Sequence, residues 1–147
     1  MTQFVIDVDI PKMPLLIPGE STTILRREIG TAVASLLEDI ASEARTRTPV
    51  GVSGILRASI ATRLTRGTDA STLVHGEVFT GAQAPYAEFV EFGTRPHWPP
   101  RAPIELWATR VLGNAKLWFF VARAISRRGT RPRWMFRDAL AAVRPRI

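Results

Sequence analysis

Two glutamates, Glu88 and Glu91, stand three residues apart in the run Tyr86-Ala87-Glu88-Phe89-Val90-Glu91-Phe92, facing a similar side of a helical turn. Paired carboxylates can do acid–base work, but glutamates at such a spacing are far more often solvated or ion-paired. The two histidines, His75 and His97, fall on a strand-like segment and in a proline-rich loop. Neither has metal-ligand spacing to the other or to a carboxylate. With no cysteine there is no thiolate nucleophile, thiolate metal site or disulfide. Phosphate-binding glycine loops and nucleophile motifs are also missing. The residues therefore point away from an enzyme, and no cofactor or metal is expected.

The remaining chemistry is cationic. Residues 1–94 hold 8 Lys/Arg and 11 Asp/Glu, a net of −3, whereas residues 95–147 hold 12 Lys/Arg and 2 Asp/Glu, a net of +10. All four tryptophans (Trp98, Trp107, Trp118 and Trp134) lie in the basic part. Arginines interleaved with tryptophans can hold phosphates and stack on bases, so a sequence-nonspecific nucleic-acid-binding protein is the alternative function. Trp107, Trp118 and Trp134 fall on apolar helix faces, which favours packing over stacking, and no DNA- or RNA-recognition signature appears. Arg123, Arg127 and Arg128 are the arginines least needed for packing and the candidate contacts for passing DNA. The other partner that fits a basic segment is an acidic protein surface, such as residues 1–94 of a second copy.

A chain of 147 residues with 46% hydrophobic and 22% charged residues suits a single globular domain with a real core. No apolar run is long enough to span a bilayer. Met1 to Asp9 carry two aspartates and no basic residue, unlike a secretory signal.

The elements that must position these residues are legible in order. Phe4 to Ile10 suits a short strand. Pro11, Pro14 and Pro18 then leave an extended arm, residues 1–19 in all, which either folds back or docks on a neighbour. A long helix follows, capped by Ser21 or Thr22, buried through Leu25, Ile29, Val33, Leu36, Ile40 and Ala44, and ended by Pro49. Leu56 to Thr65 alternates as a half-buried strand, Arg66 to Ser71 forms a hairpin loop, and Thr72 to Thr80 returns. Tyr86, Phe89 and Val90 recur at helical spacing, giving a short amphipathic turn stopped by Gly93 and the prolines that follow.

Pro103 and Gly113 bracket another helix, with Ile104, Trp107, Ala108 and Val111 inward. A further one, Ala115 to Arg128, turns Leu117, Trp118, Val121, Ala124 and Ile125 to one face and ends in cations that suit the helix dipole. The last helix runs from Trp134 to Val143. Gly129-Thr130-Arg131-Pro132-Arg133-Trp134 repeats Gly93-Thr94-Arg95-Pro96-His97-Trp98 with only the fifth residue changed. Two similar turns are expected side by side, with a helical hairpin (103–128) inserted between them. Arg95 and Arg131 would then pair with carboxylates such as Glu88 and Glu91. The fold class is α+β: a long N-terminal helix on a small antiparallel sheet, plus the inserted hairpin and a C-terminal helix.

Three short patterns in this order resemble one family. They are Pro49-Val50-Gly51-x-x-Gly54-x-Leu56-Arg57-x-Ser59, then Tyr86-Ala87-x-x-Val90-Glu91-Phe92-Gly93-Thr94-Arg95, then Gly129-Thr130-x-Pro132 before an aromatic C-terminal helix. Together they are similar to the neck or tail-completion proteins of long-tailed bacteriophages, which join head to tail. In the first pattern Gly51-Val52-Ser53 replaces the Asp-Thr pair usual in that family. The resemblance implies a structural virion protein of the neck or tail, assembled in the host cytoplasm as a homo-oligomeric ring of six- or twelve-fold symmetry. Its partners would be the connector or head-completion protein and the tail tube protein, with DNA passing through. Tyr86, Glu88, Glu91, Gly93, Thr94, Arg95 and Arg131 are then the expected assembly residues.

Overall fold

A computed structural model describes residues 5–11, 20–66 and 72–144. The chain runs β1 (Val5–Pro11), α1 (Glu20–Arg47), α2 (Ile55–Ala58), β2 (Ile60–Arg66), β3 (Thr72–Thr80), α3 (Ala87–Phe92), α4 (Arg101–Leu112), α5 (Trp118–Arg128) and α6 (Met135–Val143). Residues 1–4 and 12–19, most of the expected arm, lie outside the described residues, as do residues 67–71 of the hairpin loop.

The long helix α1 buries Val33, Leu37, Ile40, Ala41 and Ala44, a three–four repeat on one face. Leu36, expected in that stripe, lies at its margin, and Leu37 takes the centre. The helix already begins at Glu20, one residue before the expected caps Ser21 and Thr22, which lie in its first turn. At its end the Thr48 hydroxyl donates to the Ala44 carbonyl (2.6 Å), closing the last turn before Pro49. α1 lies across the sheet and against α6. At the crossing, Gly76 of β3 faces Leu37: a Cβ there would stand 2.7 Å from Leu37 Cδ1, so any larger residue would force the Leu37 side chain to shift.

The sheet has the order β1-β3-β2 and is antiparallel throughout. The expected strand over 56–65 is corrected in its first part. Gly54, at φ +68°, starts the helical turn α2 instead, and the Ser59 hydroxyl closes it on the Leu56 carbonyl at 2.8 Å. Leu56 and Ile60 are both buried, one from the turn and one from the strand. That is why simple alternation runs through the boundary. Arg45 bolts α1 to β2, donating to the Ile60 carbonyl at 2.9 Å and to Glu38 at 2.6 Å.

The main core joins the α1 stripe to Ile60, Val74, Val78, Ala84 and Ala87, and to Met135, Phe136, Ala139 and Val143 of α6. Burying each large apolar side chain there contributes about 1.5–3 kcal/mol. α4 and α5 form the expected hairpin through a 3-10 turn at Ala115–Leu117, with Gly113 left-handed at the end of α4. α4 begins at Arg101, which makes Pro103 its third residue rather than its first. The hairpin has its own small interior around Ala108 and Ala122, both without accessible surface and separate from the main core.

Candidate functional site

The two Gly-Thr-Arg-Pro turns meet. Thr94 and Thr130 pair as an antiparallel bridge, with N–H to carbonyl distances of 3.2 and 3.3 Å and hydroxyls 3.1 Å apart. Gly93 (φ +75°) and Gly129 (φ +70°) make this approach possible. A Cβ on Gly129 would run into the Thr94 carbonyl, and one on Gly93 into that of Thr130. The bridge clamps the two ends of the α4–α5 hairpin to the body. On the far side, Arg110 donates to the Val52 carbonyl at 3.4 Å.

Just ahead of the clamp, α3 turns its polar side inward. Ala87 and Glu91 are buried, whereas Tyr86, Phe89 and Phe92 are exposed, reversing the expected amphipathic turn for Tyr86 and Phe89. The reason is that α6 starts beneath α3. Glu91 Oε2 accepts the Phe136 N–H at 3.0 Å, and Oε1 accepts the Arg137 N–H at 3.1 Å. These are orphan donors of the first turn of α6, and the helix dipole favours the carboxylate there. Trp134, the residue before α6, offers no side-chain cap and sits at φ +50°. Its ring packs edge-on against Phe92 (5.7 Å) and lies 4.2 Å under the Arg137 guanidinium.

The anticipated pairs between Arg95 or Arg131 and Glu88 or Glu91 do not form. Glu91 serves α6, and among the described residues Arg95, Arg131 and Glu88 make no ion pair. Both arginines are exposed. Arg95 lines an open groove of about 490 Å³ beside the clamp with Phe89, Thr94 and His97, whose Nδ1 lies 2.9 Å from the Arg95 carbonyl.

Among the described residues, the hairpin and the loop that leads into it carry a large display of exposed apolar side chains. Trp98, Leu106, Val111, Leu112, Phe119 and Phe120 are all exposed, Phe120 at 67%. Trp98, Trp118 and Phe120 each set a ring edge-on to Phe119 at 5.9–6.1 Å, and Arg101 lies 4.9 Å over Trp118. Trp107, Trp118 and Trp134 are half-buried, as packing residues should be. Arg123, Arg127 and Arg128 are exposed on α5 and make no ion pair among the described residues. Chain order gives no sign of one further cluster. Cross-strand pairing sets Asp7 opposite Glu77, and His75 Nε2 lies 3.1 Å from Glu77 Oε1 and 3.9 Å from Asp7 Oδ1. His75 is thus not remote from carboxylates, contrary to what its spacing suggests.

Residues 20–93, half of the chain, match the family model described as "Bacteriophage HK97-gp10, putative tail-component". The chain belongs to this HK97-gp10-like tail-component family. The match runs from the start of α1 to the first glycine of the clamp, so the hairpin and α6 lie beyond it. No curated protein and no solved structure matches significantly. Membership makes the protein a structural component of a phage tail, placed in the virion. Among the described residues no helix is long and apolar enough to cross a membrane.

Proposed function

We propose that this tail component is a non-enzymatic protein that assembles as a homo-oligomeric ring at the head–tail junction or tail end. The ring joins the connector to the tail tube around the DNA channel. The observation that carries this reading is the set of exposed apolar side chains on the α4–α5 hairpin, whose two ends the glycine clamp joins. Contiguous exposed apolar surface rimmed by arginine is the usual make-up of a protein interface. A closed ring needs two different patches on each subunit, and the opposite charges of residues 1–94 and 95–147 supply them. Tyr86, Glu88, Thr94, Arg95 and Arg131 rim the contact. Gly93 and the buried Glu91 act from within, Gly93 by letting the two turns meet at the base of the hairpin and Glu91 by seating the start of α6.

The connector or head-completion protein and the tail tube protein are the partners on either side, and six- or twelve-fold symmetry would match them. Arg123, Arg127 and Arg128 would face DNA passing through. Light scattering on the purified protein, with cryo-electron microscopy of the virion neck, tests the proposal. A ring at the neck or tail end is the expected result. A strict monomer at high concentration that is never recruited to particles overturns it.

A further inference from the structure

We propose that the outer face of the sheet holds a divalent cation of the zinc class between Asp7, His75 and Glu77. The three donors come from two neighbouring strands whose hydrogen bonding fixes their placement. Asp7 of β1 is the register partner of Glu77 of β3, and His75 lies two residues along on the same face. One ligand atom from each lies within 4.8 Å of the others. His75 Nε2 stands 3.1 Å from Glu77 Oε1 and 3.9 Å from Asp7 Oδ1. Tetrahedral ligands bound at about 2.0–2.1 Å stand roughly 3.3–3.5 Å apart, so His75 and Glu77 are already near ligand spacing and rotation of the exposed Asp7 side chain brings in the third donor. Water completes the coordination.

Charge supplies an independent argument. Like charges directly opposite each other on paired strands destabilise a sheet, yet Asp7 faces Glu77. Arg63, the register partner of Glu77 on the other side, offsets part of this by donating to Glu77 Oε2 at 3.0 Å. That bond leaves Oε1 turned to the imidazole. A cation would offset this excess and bridge edge strand β1 to central strand β3. The donor set selects within the cations: one imidazole nitrogen with two carboxylates suits Zn²⁺, whereas Mg²⁺ prefers oxygen ligands and retains its waters.

The test is titration of Zn²⁺ and Mg²⁺ into the tag-free, chelator-stripped full chain, followed by calorimetry and thermal unfolding. One Zn²⁺ per chain is expected, with a melting temperature that climbs with zinc concentration because only the folded state presents the site. Mg²⁺ should have no such effect. His75→Ala should weaken zinc binding more than about tenfold, as loss of the sole nitrogen ligand requires. His97→Ala, which removes the other histidine, should leave it intact. Asp7→Asn, at an exposed side chain, guards against misreading a folding defect and should weaken binding as well. No zinc uptake, or uptake unchanged in both His75→Ala and Asp7→Asn, overturns the site. Ring assembly is read separately, so the two proposals fail independently.

Discussion

At position 91 a carboxylate with no accessible surface receives two backbone N–H groups from the first turn of α6. Shortening it leaves the buried Phe136 N–H and the part-buried Arg137 N–H without their acceptor. Glu91→Ala should therefore cost about 3 kcal/mol, since each orphaned buried donor costs about 1–3 kcal/mol. Glu91→Gln should fall between the two, because its amide supplies one acceptor oxygen and turns an N–H toward the other donor. Glu88→Ala, at a half-buried side chain outside any ion pair among the described residues, should stay within about 0.5 kcal/mol. Urea unfolding of the three variants checks the ranking, and equal losses at 88 and 91 would refute it. Periodicity assigns the inward side to Tyr86 and Phe89 because a charged residue in a short helix reads as wet. Nothing local signals that α6, far along the chain, needs an acceptor there.

Among the elements, the clamp is legible in the sequence itself. The repeated Gly-Thr-Arg-Pro announces two like turns, and a hairpin between them has to bring its ends together. Exchange of backbone hydrogen bonds between Thr94 and Thr130 is the form that meeting takes. Gly129→Ala should be severely destabilising, because the new methyl meets the Thr94 carbonyl and φ +70° is strained for alanine. A cost above about 2 kcal/mol is expected, with faster hydrogen exchange across α4 and α5. Gly30→Ala in α1 is the matched control: a Cβ there meets nothing within 4 Å, so helix propensity alone should stabilise by about 0.5–1 kcal/mol. If both changes shift the melting temperature the same way, the clamp is not the constraint the structure implies. α1 and the β2–β3 hairpin are equally readable from period. The start of β2 is not, because Leu56 and Ile60 stay on the core side through a helical turn and a strand alike.

For the whole molecule, the exposed face of the hairpin and the uneven charge lead to separable expectations. Phe120, at 67% exposure, contributes little to the monomer, so Phe120→Ser should leave stability within about 0.5 kcal/mol. If that face is a subunit contact, the same change should shift the mass seen by light scattering toward monomer. An assembly of unchanged mass would move the contact elsewhere on the chain.

The arginines of α5 test the channel. Binding to passing DNA should come from counterion release, and so be weak, indifferent to sequence and steep in salt. Recognition of a particular site would instead separate two unrelated duplexes by several kcal/mol and persist at moderate salt. Titrating salt against two such duplexes, with Arg123, Arg127 and Arg128 first intact and then changed to serine, distinguishes these cases. For every phosphate that an arginine no longer neutralises, the log–log salt slope should flatten by roughly 0.9. A slope that does not move would place the DNA contacts on other cations of the basic segment. A preference between the duplexes would favour nucleic-acid recognition over a connector role. No binding even at low salt would turn the +10 of residues 95–147 toward protein, such as the −3 segment of a second copy.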